Sequence, residues 1–289
     1  MRRIIRQASG ALCLLALCVL SACSTLKLVY NQSDDVLYWW VDAYVDLEGE
    51  QKASTRDALA ELHRWHRQQQ LPEYVALLQK ARSVALQDIT APQVCAVTDE
   101  MKASFLVLLR HIEPAAARLG TQLKAEQLQH MRKRYDKTNK EWRSDWLEGS
   151  ADKRLRYRTK QALKRLEDFY GRLDEPQREV LNQWLSSSAF DAALSYSERE
   201  RRQADSLQTL QRMADSGSVA AAQVLLRAWT ERAFNSPNEH FRNYSQALWQ
   251  ENCVGFAKLH NSTTTTQRQH LVETLRGYES DLKTLVTPK

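Results

Sequence analysis

His63 and His66 flank Trp65 and stand one helical turn apart, which is where two imidazoles on one helix face could share a metal ion. No acid and no third histidine stands at a recognisable ligand spacing from them, so the pattern predicts surface or half-buried histidines and no metal. HExxH, GxSxG, CxxC and a phosphate-cradling glycine loop are all missing from the sequence. Glu279-Ser280 matches a glutamate-serine pair of some peptidoglycan-cleaving enzymes, but none of the surrounding motif accompanies it. The expectation is therefore no catalytic residue and no cofactor. The alternative class is an envelope enzyme or a metal-responsive sensor, and it would require carboxylates or histidines to converge in a pocket.

The cysteines carry the clearer chemistry. Leu20-Ser21-Ala22-Cys23 follows a basic start (Arg2, Arg3, Arg6) and an apolar run from Ala11 to Leu20. That layout reads as a secretory signal rather than a span, which would need about 20 apolar residues. The four residues resemble the lipobox of bacterial lipoproteins, in which the cysteine is acylated and becomes the first mature residue. Cys23 is thus the expected anchor and residues 1–22 a cleaved signal peptide. Ser24 in place of aspartate implies delivery to the outer membrane, facing the periplasm. Cys13 and Cys18 leave with the signal, so the folded chain keeps Cys95 and Cys253. Two cysteines in an oxidising compartment suggest one disulfide, with a pair of unpaired thiols as the other reading. Closing that 158-residue separation would contribute at most roughly 5 kcal/mol.

The charge balance excludes one large class of partner. Of 41 basic residues three lie in residues 1–22, leaving 38 against 35 acids, so the net charge falls from +6 to +3. With no recognition motif and an exported location, nucleic acid is not an expected partner. Tyr30 to Asp46 sets Tyr38, Trp39, Trp40 and Tyr44 among Asp34, Asp35, Asp42 and Asp46. The segment reads either as a core helix with acids at its solvent edge or as a partner-docking or membrane-proximal helix. Residues 31–62 hold eight acids and two bases, while 124–172 hold fifteen bases and eight acids. The two stretches either dock on each other, or the basic one (Arg132, Lys133, Arg134, Arg154, Arg156, Arg158) faces anionic lipid or an acidic partner.

The elements that must position these groups are helices. Eight glycines and six prolines in 289 residues are too few turn signals for a strand-rich fold. Stripes at helical spacing run through Leu128, Met131, Tyr135, Trp142 and Trp146, through Leu163, Leu166 and Tyr170, and through Leu271, Leu275, Tyr278, Leu282 and Leu285. Capping patterns start helices at Thr90, Asp174, Ser236 and Thr264, each followed three residues later by Gln or Glu. Leu47-Glu48-Gly49-Glu50-Gln51 and Leu123-Lys124-Ala125-Glu126-Gln127 echo that pattern with a poor capping residue and are not read as helix starts. The predicted segments are 34–46, 50–70, 72–87, 91–112, 114–147, 151–171, 174–214, 217–234, 237–260 and 264–286, with some neighbours fusing to leave eight or nine helices. The fold class is all-α: an elongated multi-helix bundle of helical hairpins. A short tether at 23–33 would precede a single domain at 34–286, with a possible subdivision near 172.

YNQSDDVLYWWVDAYVDLEGEQ, WHRQQQLPEY, EDFYGRLDEPQR, ERERRQ and LHNSTTTTQR together resemble an uncharacterised family of proteobacterial lipoproteins, defined as a domain of unknown function. That resemblance covers the whole mature chain and implies an all-helical outer-membrane lipoprotein without assigned activity. A looser similarity runs to the Spy/CpxP periplasmic stress proteins, whose hairpins begin Leu-Thr-x-x-Gln, through Ile89 to Gln93 and Leu173 to Gln177. The expected role is non-enzymatic: a lipoprotein held to the membrane by Cys23, whose faces bind another envelope protein or unfolded clients.

Overall fold

A computed structural model describes residues 25–286; the predicted signal segment, Cys23 and the last three residues lie outside them. Twelve α-helices and one π-helical stretch make up the described chain. They are α1 (Thr25–Asn31), α2 (Ser33–Val45), α3 (Glu50–Trp65), the π-helix (His66–Gln70), α4 (Leu71–Val84), α5 (Ala91–Gly120), α6 (Ala125–Trp146), α7 (Ala151–Tyr170), α8 (Glu175–Ser186), α9 (Ala192–Ser216), α10 (Val219–Phe234), α11 (Glu239–Ser262) and α12 (Thr265–Val286). No strand occurs among the described residues, as the all-α expectation requires.

Two long rods set the length of the molecule. α3, the π-helix and α4 run without a break from residue 50 to 84, about 50 Å, and the 30 residues of α5 return for about 45 Å. The sequence predicts a break before Pro72, but the helix passes through it. Proline has no N–H to donate and its ring collides with the carbonyl four residues back. The backbone answers by widening, so that the Leu71 N–H reaches the His66 carbonyl five residues away. Pro114 likewise lies inside α5 rather than ending it, with Glu113 and Ala117 buried on either side. The real break is at 121–124, and a second one at 187–191 divides the stretch read as a single helix over 174–214. Residues 25–31 are helical where a tether was expected.

Two pairs of helix starts brace the two halves: the 47–51 and 123–127 echoes, not expected to start helices, form one pair, and the predicted capping patterns at 174–177 and 264–267 form the other. Gln51, Gln127, Gln177 and Gln267 each stand near the start of a helix, and each accepts through Oε1 from the backbone N–H three residues earlier, at 2.9–3.0 Å. Gln51 and Gln127 then donate to one another at 3.2 and 2.7 Å, and Gln177 and Gln267 do the same at 2.7 and 2.8 Å. The second amide hydrogen goes every time to the carbonyl five residues before the partner glutamine: Gln122, Asp46, Ser262 or Arg172. The result is two clasps with the same local two-fold logic, in which each glutamine ties its own helix start to its partner's turn. The residue four before each glutamine (Leu47, Leu123, Leu173, Thr263) is buried beneath the clasp. Asp46, at φ 58°, and Gly171, at φ 72°, take the left-handed turns that bring the chain round.

A hydrophobic cluster sits under each clasp. Tyr38, Val45, Leu47, Leu59, Leu62, Leu123, Leu128 and Met131 fill the first; Ala85, Leu166, Tyr170, Leu173, Leu181, Leu185, Leu259, Leu271 and Leu275 fill the second. Ala117, Met213 and Ala222 make a small third one where α5 meets α9 and α10. The α12 stripe departs from the reading at one place: Tyr278 is exposed and Glu279 is buried on its neighbour's face. Gln79 and Lys283 donate to the Glu279 carboxylate, and Arg82 pairs with it at 2.9 Å, which keeps its pKa low. Cys95 and Cys253 are joined, tying α5 to α11 as the disulfide reading expected. Helix α11 starts from Asn238, which caps the Phe241 N–H, and not from Ser236.

Candidate docking face and the histidine–tyrosine cluster behind it

Residues of α2 divide cleanly between two faces at 100° per residue. Tyr38 and Val45 turn inward and are buried, with the Arg56 guanidinium 3.7 Å over the Tyr38 ring. Val36, Leu37, Trp39 and Trp40 turn outward at 49, 42, 63 and 59 % exposure, and on α1 Leu28 and Val29 are 58 and 57 % exposed. Six large apolar side chains thus follow closely on Cys23 and are 42–63 % exposed among the described residues. Of the two readings of this segment, the core one holds for Tyr38, while Trp39 and Trp40 lie outside the core.

The other predicted members serve the fold. Tyr44 packs against Trp40, ring centres 4.8 Å apart, and against Tyr135. Asp42 Oδ1 accepts from the Leu47 N–H and so closes the end of α2, while the Asp46 carbonyl takes a hydrogen from Gln127. The six basic residues are not gathered into one face. The Arg134 guanidinium lies 5.4 Å from the Tyr44 ring centre, and outside the six Lys124 pairs with Glu48 at 2.7 Å, so the basic and acidic stretches do meet as the mutual-docking reading expects. Arg154 donates to the Leu147 and Gly149 carbonyls of its own turn, and Arg158 sits over Phe190 at 4.5 Å. Arg132, Lys133 and Arg156 are exposed.

Behind the outward face the π-helix assembles a titratable cluster that sequence reading missed. The Tyr30 hydroxyl bonds His66 Nδ1 at 2.9 Å, and its ring lies 4.8 Å from that of His63. Arg67 donates to Asn31 at 2.6 Å and covers the Tyr30 ring; His63 faces Asp34 at 3.9 Å; Tyr74 meets His66 edge-on. Trp65 turns the other way and stacks on His111 at 3.8 Å. Burial pushes the Tyr30 phenol up to about 12 and both imidazoles down, so these groups stay neutral near pH 7. Neutral phenol and imidazole are a hydrogen-bonding lock here: they hold α1, and with it the outward face, on the long rod. Pro72, six residues beyond His66, was the available signal, because a proline that does not end a helix forces a local widening. No helix among the described residues is long and apolar enough to cross a membrane. No group of three or more His, Cys, Asp or Glu among them is placed to hold a metal ion.

A model for a family of unknown function, DUF6279, matches residues 43–232. The chain belongs to that family. No curated protein and no solved structure matches it. The DUF6279 match holds all of the first clasp from Leu47 to Gln127 together with His63, His66 and the π-helix, but of the second clasp it holds only the Gln177 side.

Proposed function

We propose that the protein is an outer-membrane lipoprotein, anchored through acylated Cys23 and facing the periplasm, that works by binding rather than by catalysis. In this reading the α1–α2 face lies in the headgroup region of the bilayer beside the anchor, and the two-clasp bundle projects to meet an envelope protein or unfolded clients. The observation that carries it is the outward pair Trp39 and Trp40, flanked by Leu28, Val29, Val36 and Leu37. Tryptophan presents a large apolar body with one polar N–H and favours that interface, and an acyl anchor holds a protein more firmly when a second membrane contact accompanies it. The lipobox reading of Cys23 and the likeness to proteobacterial lipoproteins support the compartment.

Vesicle flotation of a form without acyl groups tests the docking face, using phosphatidylethanolamine and phosphatidylglycerol vesicles. Replacing Trp39 and Trp40 with alanine should weaken binding by roughly tenfold or more, with the circular dichroism spectrum unchanged and Tm lowered only slightly, because both side chains are more than half exposed and only Trp40 packs on a neighbouring ring, that of Tyr44. A double variant that floats as well as the parent would overturn the membrane reading.

A further inference from the structure

Between α4, α5, α7, α11 and α12, remote in sequence from the docking face, lies a cavity of about 340 Å³. Protein interiors leave few voids larger than a water molecule, whereas ligand pockets start at roughly 300 Å³. No aspartate, glutamate, lysine or arginine lines it. The polar side chains that reach it make hydrogen bonds within the protein. His260 Nε2–H donates to the Gln87 carbonyl at 2.9 Å, which leaves Nδ1 as the acceptor for the Tyr170 hydroxyl at 2.8 Å. Thr98 donates to the carbonyls of Val94 and Cys95, and the Gln93 side-chain oxygen accepts from Thr90. A sugar, nucleotide or peptide would find its own polar groups unmatched there, and only hydrocarbon fits such a wall.

The shape narrows the choice. Along α5 the lining runs from Gln93 through Val94, Val97 and Thr98 to Met101, a stripe of nine residues and so about 12 Å from end to end. With the volume above, that leaves a trough roughly 30 Å² in section, wide enough for one unbranched chain. His260, 1 % exposed, lies at its floor, and Met101 and Phe169, 56 and 36 % exposed, stand at its mouth. The Cys95–Cys253 bridge joins two of the walls, so the trough is held in shape. We propose that this trough binds the hydrocarbon tail of a single-chain amphiphile, a fatty acid or a lysophospholipid, with its polar end in solvent at the Met101–Phe169 mouth. The inference goes beyond the docking face, and its test contains no bilayer.

The purified full chain is titrated with cis-parinaric acid, a fluorescent fatty acid, and the bound probe is displaced by saturated fatty acids of increasing length and by lysophosphatidylethanolamine. Saturable one-site binding is expected, tightening about fourfold per added methylene until the trough is full and then levelling. Displacement by both competitors, or by only one of them, supports the proposal and identifies the source of the chain. Val97→Trp fills the trough and should weaken binding at least tenfold; Met101→Glu, at the exposed mouth, should do so without touching the core. Absence of saturable binding by the parent, or binding that both folded variants retain, overturns the proposal. Concentration-dependent self-association that Met101→Glu abolishes, without fatty-acid binding, overturns it in favour of a second copy seated at the mouth.

Discussion

Gln127 is 2 % exposed, and its side chain serves two helix starts at once: it takes the Lys124 N–H of its own and gives hydrogens to Gln51 and to the Asp46 carbonyl of the other. Gln127→Ala leaves those partners buried and unmatched, which costs about 2 kcal/mol or more. Because Gln51 depends on the same bonds, Gln51→Ala should add little in the double variant, and urea unfolding of the four-member cycle should give a coupling of about 1 kcal/mol or larger. Simple additivity would mean that the two side chains act separately. Titration is a second test at this scale. Burial lowers the pKa of His63, His66 and His260, set among Asp34, Arg67, Asp88 and Arg268, so the unfolded chain binds protons that the folded one refuses. The stability from these groups is complete above their ordinary value near 6.5 and drains away as the pH falls below it. The urea midpoint should therefore drop between pH 7.5 and 5.5, and His260→Gln should reduce that drop.

At the scale of elements, two glycines that look alike in the sequence predict opposite outcomes. A methyl group at Gly255 would stand 2.2 Å from ring carbons of Trp184, a rigid group on α8, whereas at Gly120 it would meet the terminal methyl of Met213 at 2.2 Å. The ring cannot yield without moving its helix, while the thioether end can swing. Gly255→Ala should lower stability by about 2–3 kcal/mol and Gly120→Ala by less than about 1 kcal/mol, both read from denaturant midpoints. Such contacts were beyond the sequence, but most helices were not. Thr90, Asp174 and Thr264 start helices where their capping patterns predicted, since that chemistry is contained in four adjacent residues. The start at Glu50 agrees with the predicted segment 50–70, whereas the start at Ala125 falls inside the predicted 114–147, because Lys124 is a poor cap and the turn before it is braced by a glutamine 76 residues away. The same limit hid the Tyr30–His66 bond, between residues 36 positions apart, and the trough, which five separated helices enclose. Trp39 and Trp40 were legible as a pair of interest, but which side of α2 faced water depended on where α6 lay.

For the molecule as a whole, the two ends of the described chain meet. α1 packs on α12, with Lys27 paired to Asp281 at 3.2 Å, so the chain leaves from the middle of the bundle, visits both clasps and returns. The region that defines the family cannot complete this circuit. Residues 43–232 lack Gln267, Leu259, His260, Leu271 and Leu275, and so lack one side of the second clasp and much of its core. Expressed alone, that fragment should unfold with low cooperativity or aggregate, while residues 25–286 should unfold in one cooperative transition by circular dichroism; a cooperatively folding fragment would show that the first clasp is self-sufficient. The Cys95–Cys253 bridge has a different consequence for a protein exposed to proteases. The turns at 121–124, 147–150, 171–174, 187–191 and 235–238 all fall inside the loop it closes. A single cut at any of them severs the backbone but releases nothing, so the nicked chain keeps its mass on a non-reducing gel and separates into two pieces only when thiol is added.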